Sequence, residues 1–166
     1  MEVGWPANTR SAFRSVFIQV VLLAPAATVL PVSLALILRA LLTVIPRTNF
    51  RKKFYYWLLQ DTVQSGEAGR AFVDEAVADW NVAERCFAPF PMVVSNVLDD
   101  KTLQRLQVPA LFLVGEHEKI YSAPKAVERL NRIAPQIKTA IIPQAGHDLW
   151  MVQAELVTKT ILDFLG

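Results

Sequence analysis

Residues 108–122, VPALFLVGEHEKIYS, join a short apolar run to a charged turn. A run this short and this continuously apolar is typical of a strand that is buried on both faces of a sheet. An amphipathic helical pattern follows over 122–134, then a second strand and turn over 138–146, and a closing helix over 148–166. Strand, helix, strand and helix at this spacing predict parallel strands joined by right-handed crossovers, which is an α/β fold.

The N-terminal half adds one more predicted strand and a long helical block. The three predicted strands are residues 20–24, 109–114 and 138–142. Residues 31–88 show helical patterns without a strand pattern, and Asn49 is a candidate N-cap for the second of these helices. The sequence therefore predicts a partial core over 1–30 and 89–166, with a helical insertion over 31–88.

Composition narrows the class of protein. The chain has 166 residues, of which 53% are hydrophobic and 19% charged, so it is long enough for a buried core and is not a disordered chain. The net charge is only +2, and no basic stripe with interleaved aromatics is present, which argues against nucleic-acid binding. The single Cys86 excludes an internal disulfide and favours a reducing compartment such as the cytoplasm. We expect neither a metal ion nor a cofactor.

One uncharged stretch raises the question of a membrane. Residues 16–38 carry no charge and are long enough to span a bilayer. Pro25 and Pro31 divide this stretch, however, and Arg39 follows it directly. A membrane anchor through residues 16–38 is therefore kept only as an alternative to a buried strand followed by a helix.

Ionisable side chains follow two of the predicted strands. Glu116, His117 and Glu118 come directly after one strand, and His147 comes after the next. Because reactive groups of an open parallel sheet gather beyond the carboxyl ends of its strands, one of the glutamates can meet His147. A carboxylate that accepts a hydrogen bond from an imidazole fixes its tautomer and stabilises the imidazolium. We expect His117 to be an exposed turn residue and Asp148 to cap the closing helix.

Three motifs resemble the C-terminal part of the α/β-hydrolase fold family. They are VVLLAPAAT at 20–28, GEHE at 115–118 and AGHDL at 145–149, and the resemblance extends over residues 18–166. In that family the acid lies in a G-x-x-D/E turn and the histidine in a later G-H turn. The resemblance implies that His147 is the catalytic histidine and Glu118 the acid, with Glu116 as the alternative acid.

The family's nucleophile motif, G-x-S-x-G, does not occur in this chain. None of the six glycines forms it; they are Gly4, Gly66, Gly69, Gly115, Gly146 and Gly166. The resemblance places the nucleophile roughly one helix before Val20, at or before residue 1, so we expect an N-terminally truncated form that is inactive by itself. An incomplete sheet also predicts poor solubility or self-association.

The resemblance implies a serine hydrolase that acts on a small-molecule ester or related carbonyl substrate. The block 31–88 would be its lid, and the apolar residues in 31–59 suggest an apolar acyl group. Two other functions remain open: a non-catalytic, hydrolase-like binding module, and a membrane-associated protein anchored through 16–38.

Overall fold

A computed structural model describes residues 19–43, 45, 48–87 and 96–166 of the chain. Its centre is a three-stranded parallel sheet in the order β1-β2-β3. The strands are β1, Val20–Leu23; β2, Ala110–Gly115; and β3, Ile137–Ile142. The α/β fold and its three strands are thus confirmed, with strand ends that differ from the sequence prediction by at most one residue.

The described helices lie on the sheet and in one long insertion. Five of them lie between β1 and β2, and the first four are here called the helical segment: α1, Leu34–Thr43; α2, Thr48–Leu58; α3, Gln60–Gln64; and α4, Glu67–Cys86. The others are α5, Asp100–Gln104; α6, Ala123–Ile133; α7, Leu149–Val152; and α8, Ala154–Leu165. Asn49 lies inside α2, which begins at Thr48, so the prediction that Asn49 caps this helix was wrong.

Strand β2 holds the core together because both of its faces are covered. All six of its residues are buried. Successive side chains of a strand point to opposite faces, so Phe112 packs in the cluster that contains Leu130 of α6, whereas Leu113 packs in the cluster that contains Leu149 of α7. Burial of each such side chain is worth about 1.5 to 3 kcal/mol. This two-sided burial is the reason for the uninterrupted apolar run in the sequence.

The uncharged stretch 16–38 is not one helix. Its residues Val20–Leu23 form β1, and α1 begins only at Leu34. Across the described ranges, no helix combines the length and the apolar character that a membrane crossing requires. Residues 16–18 of the stretch lie outside the described residues.

The helical segment is held together partly by charge pairs between α2 and α4. Arg51 contacts Glu84 at 2.8 Å, and Lys52 contacts Asp74 at 2.7 Å. Cys86, at the end of α4, is exposed. In contrast, α1 has no buried residue, and its Leu34, Leu38 and Leu41 are all exposed.

Candidate active site

Two turns meet at the carboxyl edge of the sheet. The β2–α6 turn begins at Glu116, and the β3–α7 turn begins after Ile142. The Glu116 N–H donates to the Ile142 carbonyl at 2.9 Å, and the His117 N–H donates to the Ala145 carbonyl at 2.8 Å. These two backbone hydrogen bonds fasten the turns to each other.

Gly115 allows this close approach. A Cβ atom at position 115 would lie 2.2 Å from the carbonyl oxygens of both Ala145 and Gly146. Gln144, in the same turn as these carbonyls, has a φ of 52°, in the left-handed region that non-glycine residues rarely adopt. The turn that precedes His147 is therefore tightly bent against the end of β2.

His147 and Glu118 come together at this edge. His147 Nδ1 lies 3.1 Å from Glu118 Oε2. The Glu118 side chain is 0% exposed and that of His147 is 20% exposed. The other carboxylate oxygen, Oε1, accepts from the N–H groups of Lys119 at 2.8 Å and Ile120 at 2.9 Å. These hydrogen bonds fix the position of the carboxylate, so that it can orient the imidazole.

Two aromatic side chains border this pair. Trp150 lies edge-on to the His147 ring, with 5.8 Å between the ring centroids. Burial raises the pKa of the Tyr121 hydroxyl, and the nearby Glu118 charge raises it further. Trp150 therefore covers part of the His147 ring, and Tyr121 is buried near the Glu118 carboxylate.

Glu116, the alternative acid, has a different partner. Its Oε2 accepts a hydrogen bond from the Gln144 N–H at 3.0 Å, and the residue is exposed. The two glutamates of the same turn therefore divide their tasks: Glu118 contacts the imidazole, whereas Glu116 ties the turn to its neighbour. The sequence alone left both open as partners of His147.

His117 is half-exposed, with 49% of its side chain accessible, and it contacts the helical segment. Its Nδ1 lies 3.2 Å from Asp61 Oδ2 on α3. The expected exposure of this turn residue is therefore found. The contact with Asp61 was not anticipated, because 56 residues separate the two and no pattern in the sequence links them.

Asp148 does not cap the closing helix, so that prediction was wrong. It occupies the N-cap position of α7, but its side chain makes no capping hydrogen bond there. Its Oδ2 instead accepts from the Thr62 N–H at 2.8 Å and from the Thr62 hydroxyl at 2.5 Å. The carboxylate turns towards α3 because both Thr62 donors are buried there and a buried donor needs an acceptor.

Two open cavities lie between these turns and the helical segment. One, of about 460 Å³, is lined by Trp57, Gln60, Glu118 and Lys119 among others. The second, of about 620 Å³, is lined by Thr62, Phe72 and Met151 among others, and His117 and Asp61 border both. The candidate site thus opens towards the helical segment.

In the described part of the chain, no serine hydroxyl forms a hydrogen bond with the His147 ring. The Ser33 hydroxyl donates to the Lys119 carbonyl at 2.9 Å, and the Ser65 hydroxyl donates to the Thr62 carbonyl at 2.7 Å. Among residues 19–43, 45, 48–87 and 96–166, Glu118 is the hydrogen-bond partner of the His147 ring, and no cluster of three potential metal ligands occurs. Ser11, Ser15 and Ser95 lie outside the described residues.

Known proteins with similar sequences and structures are hydrolases. No family model matches the chain. It is 36% identical over 90 residues to carboxylesterase YbfK of Bacillus subtilis, a match that covers 54% of this chain and 30% of that protein. It superimposes on the naproxen esterase of Bacillus subtilis with a TM-score of 0.71 and 28% identity, over 90% of this chain and 51% of that one.

A more distant structure shares the fold. The meta-cleavage product hydrolase of Pseudomonas fluorescens gives a TM-score of 0.65 at 15% identity, over 95% of this chain and 59% of that one. The chain thus spans about half the length of the solved structures that it matches, and the match to the curated relative spans less than a third of that relative. Its parallel sheet, its flanking helices and these similarities show that the chain has the α/β-hydrolase fold, as the resemblance of its motifs implied.

Proposed function

We propose that the protein is a serine-hydrolase-type carboxylesterase in which His147 is the general base and Glu118 orients it. One observation carries this proposal: His147 Nδ1 lies 3.1 Å from a fully buried Glu118 carboxylate, at the carboxyl edge of the sheet. The similar Bacillus subtilis proteins are carboxylesterases by name, which supports the same reaction class.

The chemistry follows from the orientation of the imidazole. With Nδ1–H donating to Glu118, the lone pair of Nε2 is free to accept the proton of an attacking hydroxyl. The buried carboxylate then stabilises the imidazolium, and the imidazolium returns the proton to the leaving alkoxide. This proposal requires a serine that reaches Nε2 from outside the described residues.

We further propose that residues 31–88 form a lid over a substrate site, with a core made of 1–30 and 89–166. The helical segment is inserted between β1 and β2 and contacts both turns of the site. The Lys119 ammonium also donates to the Gln60 side chain of α3 at 2.5 Å. Residues 1–18 and 88–95 of this division lie outside the described residues.

The substrate we propose is a small ester, with an apolar acyl group as the preferred type. The 460 Å³ cavity beside Glu118 offers one apolar surface, the Trp57 ring, among polar and charged side chains. An apolar acyl group would lie against that ring. We call the form of the protein that includes the proposed serine nucleophile the whole protein. We expect it to hydrolyse p-nitrophenyl esters, with a higher kcat/KM for the butyrate ester than for the acetate ester.

The matching covalent test uses a fluorophosphonate, which forms a stable bond with an activated serine. Intact mass spectrometry should show one adduct, and peptide mapping should place it on a serine. Absence of both ester hydrolysis and adduct formation in the folded whole protein would contradict the proposed reaction.

A non-catalytic binding module is the second candidate, and one observation favours it. Within the described residues no hydroxyl contacts the His147 ring. In that case an ester analogue would bind, as measured by isothermal titration calorimetry, while the corresponding ester would not be turned over. Binding of the analogue together with turnover of the ester would indicate an esterase. Binding of the analogue without turnover of the ester would indicate a binding module.

We also propose that the 166-residue chain by itself associates with other copies. In the described part of the chain, β1 and β3 are the edge strands of the sheet, and each pairs on one side only, with β2. Helix α1 exposes Leu34, Leu38 and Leu41 on one face. Unpaired strand edges and contiguous apolar faces both promote association.

Sedimentation velocity at increasing concentration tests this association. We expect oligomers that diminish when Leu38 and Leu41 are both replaced by lysine. A double replacement of Lys125 and Arg132, exposed on α6, by alanine serves as the control and should leave the oligomers unchanged. A single monomeric species at every concentration, with a cooperative melt, would contradict the prediction.

The cytoplasm is the setting that we propose. The chain has one cysteine, Cys86, and it is exposed at the end of α4. An exposed thiol without an internal disulfide partner is compatible with a reducing compartment. Cell fractionation with an antibody to the chain tests this placement.

A further inference from the structure

The side chain that follows His147 in the sequence joins the site to the helical segment. Asp148 is 1% exposed, and its Oδ2 accepts two hydrogen bonds from Thr62, one from the backbone N–H and one from the hydroxyl. Thr62 is 3% exposed and lies in α3. Because both partners are buried, this contact is shielded from water and stronger than an exposed one.

Asp148 supplies a cap that α3 lacks. The N-cap residue of α3, Leu59, has no side chain that can accept a hydrogen bond, and no capping hydrogen bond occurs there. Thr62 is the third residue of this helix, a position whose N–H has no partner within its own helix. The Asp148 carboxylate satisfies that N–H from the other side of the site.

The backbone of Asp148 is held as firmly as its side chain. Its carbonyl accepts from the Met151 N–H at 2.8 Å and the Val152 N–H at 3.3 Å in α7. One peptide bond therefore separates the His147 Cα from a residue fixed both to α7 and, through Thr62, to α3. A shift of α3 relative to the sheet would move this residue, and the imidazole with it.

Gly146, on the other side of His147, is crowded by the same contact. A Cβ at position 146 would lie 3.1 Å from Asp61 Oδ2 and 3.3 Å from Asp148 Oδ1. Gly146 thus lies close to Asp61 of the helical segment and to the Asp148 carboxylate. Asp148 itself is bound to Thr62 of the helical segment. The position of the imidazole depends on where α3 lies.

We propose that Asp148 is a positioning residue, which couples the seating of the helical segment to the orientation of the His147 imidazole against Glu118. This inference rests on the proposed function, since it assigns Asp148 a part in the same reaction. Asp148 touches neither the reacting atoms nor the imidazole; it acts through the His147 backbone. When α3 is seated on the carboxylate, the His147–Glu118 pair is held in its reactive geometry.

The test uses one substitution on each side of the contact and two controls. Asp148→Asn replaces the charged carboxylate by a neutral amide, which is a weaker hydrogen-bond acceptor. Thr62→Val removes the hydroxyl donor but keeps the backbone N–H. Thr62→Ser restores the hydroxyl. Asp99→Asn is the matched control, because Asp99 also accepts a backbone N–H, that of Thr102 at 2.6 Å, but lies exposed at α5.

In the whole protein, Asp148→Asn and Thr62→Val are expected to lower kcat for a p-nitrophenyl ester by about 10- to 100-fold, because a small misplacement of a catalytic group costs this much. KM should change much less. Thr62→Ser and Asp99→Asn should remain close to the wild-type kcat. A wild-type kcat in Asp148→Asn, or a loss confined to a lower melting temperature, would overturn the inference.

A second readout does not need ester turnover. Diethyl pyrocarbonate acylates accessible imidazoles, and peptide mass spectrometry follows the rate at His147 alone. We expect several-fold faster acylation of His147 in Asp148→Asn and Thr62→Val than in the wild type and Asp99→Asn, measured well below the melting temperature. Equal rates would overturn the positioning role. If wild-type protein hydrolyses no ester while this rate still rises, the proposed reaction fails but the coupling stands.

Discussion

Replacing His147 by alanine in the whole protein should lower kcat/KM for ester hydrolysis by about 10³-fold, because a positioned general base contributes about 10²- to 10⁴-fold. The imidazole is the only group in the described part of the chain that combines a buried carboxylate partner with a second, unbonded ring nitrogen. In the proposed mechanism, the loss of the imidazole leaves the hydroxyl of the serine without a proton acceptor.

Replacing Glu118 by glutamine should be at least as damaging, at about 10⁴-fold, the cost that follows when the carboxylate of such a pair becomes an amide. Glu118 has one oxygen on two backbone N–H groups and the other on His147 Nδ1. An amide cannot accept from both sides at once, since its NH₂ group must face either the imidazole or the backbone donors. The imidazole would then take the wrong tautomer.

Glu116→Gln is the matched control, because it makes the same chemical change two residues away in the same turn. Glu116 accepts from the Gln144 N–H, and a glutamine carbonyl can accept that hydrogen bond as well. Its activity should stay within about threefold of the wild type, as expected for an exposed substitution. Initial rates of p-nitrophenyl ester hydrolysis by the wild type and the two variants provide the comparison. A larger loss in Glu116→Gln than in Glu118→Gln would exchange the roles that we propose.

The second large effect concerns stability. Gly115→Ala should destabilise the fold by about 3 kcal/mol, at the upper end of typical overpacking costs. The added Cβ would lie 2.2 Å from two backbone carbonyl oxygens, a distance that real Cβ atoms essentially never show. Relief requires the two turns to separate, which would stretch the hydrogen bonds from Glu116 to Ile142 and from His117 to Ala145.

Such a loss should lower the melting temperature by roughly 6 to 12 °C, given about 2 to 4 °C per kcal/mol for a chain of this size. Lys125→Ala is the control, because Lys125 is exposed on α6 and its replacement crowds no neighbour. Thermal unfolding followed by circular dichroism on the soluble protein provides the measurement. Equal melting temperatures for the two variants would mean that the turns do not pack as closely as described.

Much of the fold was predictable from local sequence. Strand β2 appears as a short apolar run because both of its faces are covered, and such a strand has no polar position to interrupt the run. The meeting of His147 with a carboxylate from the preceding strand's turn was predictable as well, since the ends of neighbouring parallel strands share one edge. Choosing Glu118 over Glu116 required the family resemblance, which the geometry of the pair matches.

Contacts across the insertion were not predictable. Asp148 was expected to cap the helix that follows it, but its carboxylate binds Thr62, 86 residues earlier in the chain. His117 and Asp61 meet over 56 residues in the same way. The sequence by itself determined the strands, their parallel direction and the pairing of a carboxylate with His147, because periodicity and chain handedness are local. Only the tertiary structure decided how the helical segment is fastened to the site, since that depends on how two distant surfaces pack, and no spacing in the chain encodes it.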